Sequence, residues 1–245
     1  LLTILNLKKL IKMKNLIILC LLLITSSLFS NEDVCLAGIP NAIGNGIADD
    51  TAAIQAVFDG VTTGIPVGNE VYRITSELLS DVAGDQTIDL NGAELIVVTN
   101  QINNLILVNK PSGKLTLNNL TINGNFKLDE AINVDSVMDS NNLTIINIQS
   151  PINAGNAIGL RIEINNNPRQ FGTYNFNNTV IDYVEALSNA TAIGGADGAA
   201  RAVILRWNYN QSNTIINFNG GTFTNIWGVD GDCVQIDDNQ QTAVN

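Results

Sequence analysis

Residues 44–55 read G-N-G-I-A-D-D-T-A-A-I-Q, a glycine-rich turn that runs directly into two aspartates and an apolar segment. Ile54, Val57 and Phe58 recur at the spacing of one face of a helix. The pair Asp59-Gly60 then supplies a typical helix end. This stretch predicts a short amphipathic α-helix that ends at Phe58 and marks where the fold begins.

The paired aspartates before this helix admit two interpretations. Two adjacent carboxylates look like catalytic groups, but directly before a helix they can bond its free N–H groups and complement its dipole. We favour the second interpretation, a structural cap formed by Asp49, Asp50 and Thr51.

After the helix, the chain changes to short apolar runs separated by polar corners. A recurring phrase of strand, Asn or Gly corner and strand starts at Leu115, Leu143, Tyr174 and Ile216, so its copies lie roughly 28 to 42 residues apart. Such a repeat predicts a solenoid, in which each coil buries its apolar face against its neighbours. Asparagine, about one residue in seven, tolerates the left-handed backbone of tight corners and can hydrogen-bond from coil to coil.

Three earlier runs also have the pattern of strands, at residues 71–74, 94–98 and 105–108. A β-sandwich is the alternative fold, because it too contains many short strands and turns. The repeated phrase and the single leading helix favour the solenoid. We therefore predict one all-β domain over residues 31–245 that continues beyond Asn245.

The first thirty residues have the pattern of an export signal. Lys12 and Lys14 flank Met13, an apolar run extends from Leu16 to Ile24, and small residues follow as far as Ser30. This order is typical of a secretory signal peptide over residues 13–30, and the run is shorter than the ~20 residues of a membrane span. An uncleaved signal anchor is the alternative. Residues 1–12 precede the first methionine, and we expect them to be upstream sequence. The mature protein is then secreted, periplasmic or on the cell surface.

Charge and residue usage exclude several classes of function. Eight of the twelve basic residues and all 23 acidic residues lie after residue 30, which gives that part a net charge of −15. Such a charge argues against nucleic acid or an anionic membrane as a partner and leaves carboxylates for hard cations. The absence of histidine excludes Ser-His-Asp and Cys-His nucleophile systems from this sequence. Cys35 and Cys233 could pair in an oxidising compartment.

The stretch 44–55 resembles the N-terminal signature of the pectate-lyase-like superfamily, G-D-G-x-x-D-D-T-x-A-I-Q, with Asn45 replacing the first aspartate. Residues 66–74 are similar to the P-x-G-x-Y-x-I strand that follows in that family, with two extra residues, and residues 90–95 to its next turn. The resemblance implies a right-handed parallel β-helix whose N-terminal end is plugged by the helix. Because members include lyases, hydrolases, epimerases and phage tailspikes, it implies polysaccharide as the substrate class but no single reaction.

Residues 227–238, W-G-V-D-G-D-C-V-Q-I-D-D, are the best candidate for chemistry. Val234 and Ile236 alternate as core positions of a strand, so Gln235 and Asp237 point the other way. Two close carboxylates can divide into general acid and general base, and several can hold Ca²⁺. Residues 230–234 also resemble a distorted G-D-D-C-[IV] motif of polygalacturonase-type hydrolases, although the N-T-D, G-H-G and R-I-K motifs are missing.

Two arginines precede this cluster. β-Helix lyases of the resembled family often use an arginine as base, and a cation must neutralise the substrate carboxylate. Arg206 and Asn208 share one strand face, whereas Trp207 and Tyr209 share the other. The candidate catalytic residues are Asp230, Asp232, Asp237, Arg201 and Arg206; the candidate sugar-binding residues are Trp207, Tyr209, Trp227 and Gln235; and the candidate Ca²⁺ ligands are Asp237 and Asp238. Each also has a structural interpretation, as a turn, a core strand or a solvated arginine.

The sequence leaves two functions open. The favoured one is an exported lyase or glycosidase that acts on an acidic, pectin-like polysaccharide in a groove along the β-helix. The alternative is a non-catalytic, adhesin-like protein that binds glycans. A phage tailspike fits the fold but not the signal peptide. The enzymatic interpretation requires the carboxylates of residues 230–238 to converge with Arg201 or Arg206.

Overall fold

A computed structural model of the 245-residue chain describes residues 38–99, 102–150, 156–165, 167–187, 199–207, 214–228 and 230–238. The predicted upstream extension, the predicted signal peptide, Cys35 and Tyr209 lie outside these ranges. No helix in the described ranges is long and apolar enough to cross a membrane.

The described residues form fourteen strands and one α-helix. The helix is α1 (Thr51–Phe58), and a 3₁₀ turn covers Pro168–Gln170. The strands are β1 (Asn45–Asp49), β2 (Val71–Ile74), β3 (Leu78–Ser80), β4 (Gln86–Asp89), β5 (Glu94–Val97), β6 (Ile102–Val108), β7 (Leu115–Asn123), β8 (Leu128–Val134), β9 (Met138–Ser150), β10 (Ala157–Ile164), β11 (Thr173–Ala186), β12 (Ala199–Trp207), β13 (Ile215–Trp227) and β14 (Asp230–Asp238). The three predicted early strands correspond to β2, β5 and the second half of β6.

The strands make two sheets. Sheet A has the order β1-β2-β5-β7-β9-β11-β13, with β4 also paired to β7, and sheet B has the order β14-β12-β10-β8-β6-β3. From β6 onward the chain alternates between the sheets, and we call one sheet A strand with the sheet B strand that follows it a coil. Within the described ranges neither sheet closes into a barrel, and the paired strands run parallel to one another. The β-sandwich alternative, which requires antiparallel sheets, is therefore wrong.

Helix α1 lies where it was predicted and buries the predicted face, since Ile54, Val57 and Phe58 are all buried. Its Gln55 side chain covers the edge of β3. The Gln55 Nε2 donates to the Leu79 carbonyl and the Gln55 Oε1 accepts from the Leu79 N–H, both at 2.9 Å. Because an open strand edge invites pairing with another chain, this amide closes one end of sheet B.

The two aspartates before α1 have different partners. Asp50 occupies the N-cap position, yet its carboxylate makes no bond to the helix and instead accepts from the N–H groups of Ile43 and Gly44, at 2.7 and 3.3 Å. Asp49 Oδ1 accepts from the Thr51 N–H at 3.1 Å and from its hydroxyl at 2.6 Å. The predicted side-chain cap by Asp50 is therefore wrong, because its carboxylate fixes the glycine-rich turn, while Asp49 bonds the first helical residue.

Asparagines form the corners of the sheet A strands, as predicted. Asn119, Asn142 and Asn178 have φ values of 51°, 55° and 54° and stack in successive coils. Asn142 donates to the amide oxygen of Asn119 at 2.8 Å, and Asn178 to that of Asn142 at 3.2 Å. A second ladder beside it joins Asn118, Asn141, Asn177 and Asn219 through bonds of 2.7, 2.8 and 2.9 Å.

The structure corrects the alignment of one predicted repeat, the copy that starts at Leu143. Leu143 stacks on Leu120, whereas the partner of Leu115 is Met138. Both halves of β7 carry a Leu-Thr pair, at 115–116 and at 120–121, and the second copy matches the second half. Successive rungs of the ladder are 23, 36 and 42 residues apart, so coil length varies while the corner is kept.

A continuous apolar core lies between the sheets, from Ile39 near the helix to Leu205 in β12. The last described strand departs from the expected burial. Val234 and Ile236, predicted as core positions, are 41% and 46% exposed. Among the described strands β14 pairs only with β12, so these side chains have a neighbour on one side alone.

Candidate functional site

The outer face of sheet B carries most of the clustered charge. In β10, Leu160, Ile162 and Ile164 are buried in the core, so Arg161 and Glu163 between them point outward. The parallel register then lines up outward residues from strand to strand. One row is Glu130, Ile158, Arg201 and Asp232; the next is Asn133, Arg161, Ile204 and Gln235; the third contains Glu163, Arg206 and Asp237.

Part of this face is sheltered from solvent. Ile158 and Ile204, on its rows, are 0% and 1% exposed, although neither belongs to the core cluster between the sheets. Arg201 is also buried, and its Nη1 lies 3.5 Å from the amide oxygen of Asn156. Charges in such surroundings interact more strongly than charges in open water.

A chain of ion pairs crosses four strands of this face. Arg161 binds both carboxylate oxygens of Glu130, with Nε at 2.9 Å from Oε2, and its Nη1 lies 3.1 Å from Glu163. Arg206 Nη1 lies 2.6 Å from the same Glu163 oxygen, and its Nε lies 3.3 Å from Asp237. Each arginine therefore lies between two carboxylates. Across the face, the order of the paired residues is Glu130, Arg161, Glu163, Arg206 and Asp237.

Two carboxyl groups on this side hold protons more tightly than usual. Burial raises the pKa of Glu130 despite the attraction of Arg161. Burial also raises the pKa of Asp135, and the negative charge of Glu163 adds to that shift, while Arg169 and Arg161 oppose it. Asp135 directly follows Val134, which lies opposite Ile162, so Asp135 comes beside Glu163. Two neighbouring carboxyl groups, one of them with a raised pKa, are an arrangement suited to acid–base chemistry.

The structure brings together some of the predicted catalytic residues. Arg206 and Asp237 form an ion pair, and Arg201 lies directly opposite Asp232 in the register of β12 and β14. Asp232 and Asp237, however, belong to different rows of the same face, so they do not form one carboxylate pair. The side chain of Asp230 lies outside the described part of the structure.

The predicted sugar-binding residues are divided between two surfaces. Gln235 lies on the same side as Asp237, as the alternation predicts, and donates to it at 2.8 Å. Trp227 instead lies at the end of β13 in sheet A, where its ring contacts Tyr183. The side chain of Trp207 and all of Tyr209 fall outside the described residues. So does Cys35, so its possible pairing with Cys233 is not tested; the Cys233 thiol is exposed and free.

The geometry does not fit the predicted Ca²⁺ site. The Asp237 carboxylate already accepts from Arg206 and Gln235, which leaves little room for a cation. Within the described ranges no group of three or more acidic, histidine or cysteine side chains could hold a metal ion. The side chain of Asp238, the second predicted ligand, lies outside those ranges.

Sequence reasoning missed four residues of this face, namely Glu130, Asp135, Arg161 and Glu163. Their partners are distant in the chain, since Arg161 is 31 residues from Glu130 and Arg206 is 43 residues from Glu163. A local signal was present in residues 160–164, L-R-I-E-I, which alternates apolar and charged residues along a strand. That pattern predicts a charged face but not which charges meet.

Comparison with known proteins gives one match. A family model described as a protein of unknown function, DUF2808, matches residues 98–185, a segment that runs from just before β6 to the end of β11. The match includes Glu130, Asp135, Arg161 and Glu163 but neither β12 nor β14. No curated protein and no solved structure matches the chain. The chain is thus similar over about a third of its length to a family whose description carries no function.

Proposed function

We propose that this protein is an exported, right-handed parallel β-helix that acts on an acidic, pectin-like polysaccharide at the outer face of sheet B. The observation that supports the proposal is the sheltered chain of ion pairs through Arg161, Glu163 and Arg206, with Asp135 beside it. It offers cations for a sugar carboxylate and acid–base groups within the same surface.

Three features support the finer description of the fold. The chain alternates between two parallel sheets, and crossovers between parallel strands of one sheet are right-handed in about 98% of known cases. The helix covers the first strand of sheet B through Gln55, and in the pectate-lyase-like superfamily a helix plugs the N-terminal end of the β-helix. Residues 44–55 resemble the signature of that family, and the pattern of residues 13–30 supports export to the cell surface, periplasm or medium.

The arginines give an acidic polymer a place to bind on an acidic protein. The net charge of −15 after residue 30 repels a polyuronate, so binding needs local cations. A guanidinium can bind a carboxylate through two parallel hydrogen bonds. A uronate that binds Arg206 competes with Glu163 and Asp237 for the same donors, and the displaced carboxylate becomes more basic because it loses its cation.

These groups can carry out elimination. In our proposal the displaced Glu163 takes the proton next to the uronate carboxylate, whose charge Arg206 stabilises. The bond from the sugar to the leaving oxygen then breaks, and Asp135 gives its proton to that oxygen. The products are an unsaturated uronate and a free hydroxyl, and Glu163 and Asp135 exchange protonation states. Hydrolysis would use Asp135 in the same way, with Glu163 activating a water.

The second candidate is a non-catalytic glycan-binding protein. One observation favours it: both arginines of the chain of ion pairs are already balanced by carboxylates. A surface neutralised in this way can bind hydroxyl groups of a sugar without any proton transfer.

The test is to incubate the purified chain with polygalacturonate, alginate and neutral glycans, with and without Ca²⁺. The ultraviolet absorbance of an unsaturated uronate reports elimination, and new reducing ends without that absorbance report hydrolysis. We expect turnover of an acidic polymer, reduced at least ~100-fold by Arg206→Gln and by Asp135→Asn. Arg73→Gln is the matched control, because Arg73 lies on β2 of sheet A and bonds the Ile47 carbonyl.

The outcomes separate the two candidates. Binding of the acidic polymers without turnover would assign the face to glycan binding. Absence of both binding and turnover, in a chain that unfolds cooperatively on heating, would overturn the proposal.

A further inference from the structure

We propose that a row of three aromatic rings, the exposed Phe126 and Trp227 with the half-buried Tyr183 between them, is a second sugar-binding surface that takes the apolar faces of a neutral polysaccharide. The row lies at the ends of the sheet A strands, where the chain turns toward sheet B. The row lies on a different surface from the ion pairs of sheet B and would bind a different class of sugar. Either proposal can therefore be wrong without affecting the other.

The rings contact one another across several coils. The centroids of Phe126 and Tyr183 are 5.3 Å apart, and those of Tyr183 and Trp227 are 5.2 Å apart. Phe126 is 45% exposed, Tyr183 is half-buried, and Trp227 is 51% exposed on β13, the last described strand of sheet A. Large aromatic rings are costly to leave in water, so an exposed contiguous group of them marks a binding surface.

The backbone holds two of these rings in an unfavourable conformation. Tyr183 and Phe126 both have a φ of 60°, in the left-handed region that bulky residues rarely adopt. In neighbouring coils the positions in register with Tyr183 are Asn147 and Asn225, which also have positive φ and suit it. A tyrosine at this corner thus costs stability where asparagine would not, and strain of this kind concentrates at ligand-binding sites.

Fixed polar groups flank the row. The Glu185 carboxylate accepts from Gln149 at 2.6 Å and from the Tyr183 hydroxyl at 3.4 Å, and Glu185 lies opposite Trp227 in the register. Asp182, next to Tyr183, accepts from Thr224 at 2.8 Å and from Asn225 at 2.7 Å. These carboxylates are held in place and can accept further hydrogen bonds from hydroxyl groups.

The aromatic rings and the fixed carboxylates together favour a sugar as the ligand. A pyranose ring has an apolar C–H face that packs on an aromatic ring and hydroxyl groups at its edge that donate to carboxylates. The rings meet edge to face, at interplanar angles of 85° and 63°, so they form a stepped surface on which the exposed rings of Phe126 and Trp227 can each contact a sugar. Because Asp182 and Glu185 are both acidic, the row disfavours uronates and favours a neutral chain.

The test is affinity electrophoresis of the purified chain in gels that contain hydroxyethyl cellulose, galactomannan or polygalacturonate, with variants at the row. The informative variant is Tyr183→Asn, because it places at the corner the residue found in both neighbouring coils. We expect at least ~10-fold weaker retardation by a neutral polymer and an unchanged or higher Tm. Trp227→Ala should weaken retardation similarly, whereas Val61→Ala, at an exposed apolar residue after α1, should not.

A purely structural role for the row predicts the opposite result, a lower Tm for Tyr183→Asn with retardation unchanged. That result, or failure of the unaltered chain to be retarded by either neutral polymer, would overturn the inference. So would concentration-dependent association of the chain that Tyr183→Asn abolishes, because the row would then bind a second copy. If polygalacturonate retards the chain and Arg206→Gln removes that retardation, the result reports on the sheet B face and not on the aromatic row.

Discussion

The corner of sheet A is held from coil to coil by neutral amides, whereas the outer face of sheet B is held by charges. In sheet A each asparagine of the ladder donates to the one before it, as Asn141 does to Asn118. In sheet B the corresponding contacts from strand to strand are ion pairs, such as Arg161 with Glu130. Both arrangements use the same parallel register, which places chemically matched residues beside each other in successive coils.

This difference indicates that the sheet A corner is structural and that the outer face of sheet B is suited to chemistry. The bonds between the asparagines of a ladder join neutral groups, and a carboxylate meets the first ladder at its end, where Asn119 donates to Asp89. The ion pairs of sheet B depend on protonation, and an acidic ligand can compete for their arginines. The two surfaces should therefore respond differently to substitution and to pH.

The largest expected effect is that of Arg161→Ala. It leaves Glu130 and Glu163 without this shared cation in a sheltered site, so we expect a loss of about 3 kcal/mol in the free energy of unfolding at neutral pH. The loss should shrink under mild acid, because the pKa of Glu130 is already raised and the unpaired carboxyl can take up a proton. Urea denaturation at neutral pH and at about pH 5 measures both values.

Equal destabilisation by Arg161→Ala at the two pH values would contradict the assigned role. Arg73→Ala, on sheet A, is the control variant and should change the free energy of unfolding by less than about 0.5 kcal/mol.

Breaking the amide ladder should cost somewhat less and should not depend on pH. Asn142→Ala removes the bonds to Asn119 and Asn178 and places alanine at a φ of 55°. We expect a loss of about 2 kcal/mol in the free energy of unfolding. Asn142→Gly removes the same bonds but tolerates the backbone, so it should lose less. If alanine and glycine cost the same, the corner conformation is not what asparagine contributes.

The smallest expected effect is the pH dependence of stability in the unaltered protein. This dependence has opposite signs for the shifted carboxyl groups of the two surfaces. Burial raises the pKa of Glu130, Asp129 and Asp135, so the folded state takes up protons first and stability rises as the pH falls from neutral. Hydrogen bonds from Thr51 lower the pKa of Asp49, and those from Thr224 and Asn225 lower that of Asp182. Their contribution is lost at more acidic pH, as these carboxylates are protonated.

Thermal unfolding followed by circular dichroism from neutral to strongly acidic pH should therefore give a maximum of Tm on the mildly acidic side. A Tm that falls steadily from neutral pH downward would show that the sheltered carboxyls of sheet B do not behave as described.

The predictable parts of this molecule are those set by local pattern. Helix α1 follows from the spacing of Ile54, Val57 and Phe58, and the corners follow from asparagine's tolerance of positive φ. The alignment of Leu143 failed because two halves of one strand carry the same local pattern, and only long-range pairing distinguishes them.

The charged face of sheet B could not be predicted from local pattern alone. The dense acidic segment points to Asp237, and the resemblance to lyases that use an arginine as base points to Arg206. Arg161, Glu163 and Glu130 meet them only through the register of four strands. The burial of a β14 residue depends on whether another strand lies beside it, which alternation alone does not specify. Val234 and Ile236 have the pattern of core residues and are exposed for that reason.

The most direct test of the central claim, that an acidic polysaccharide binds the outer face of sheet B, is carboxyl footprinting with carbodiimide and an amine, read by mass spectrometry with and without polygalacturonate. We expect polygalacturonate to change the labelling of Asp135, Glu163 and Asp237 on the sheet B side. Labelling of Asp89 and Glu94, two carboxylates of sheet A strands that accept hydrogen bonds from Asn119 and Asn123, should stay the same. Changes confined to the sheet A carboxylates, or none at any of the five while the polymer binds, would contradict it.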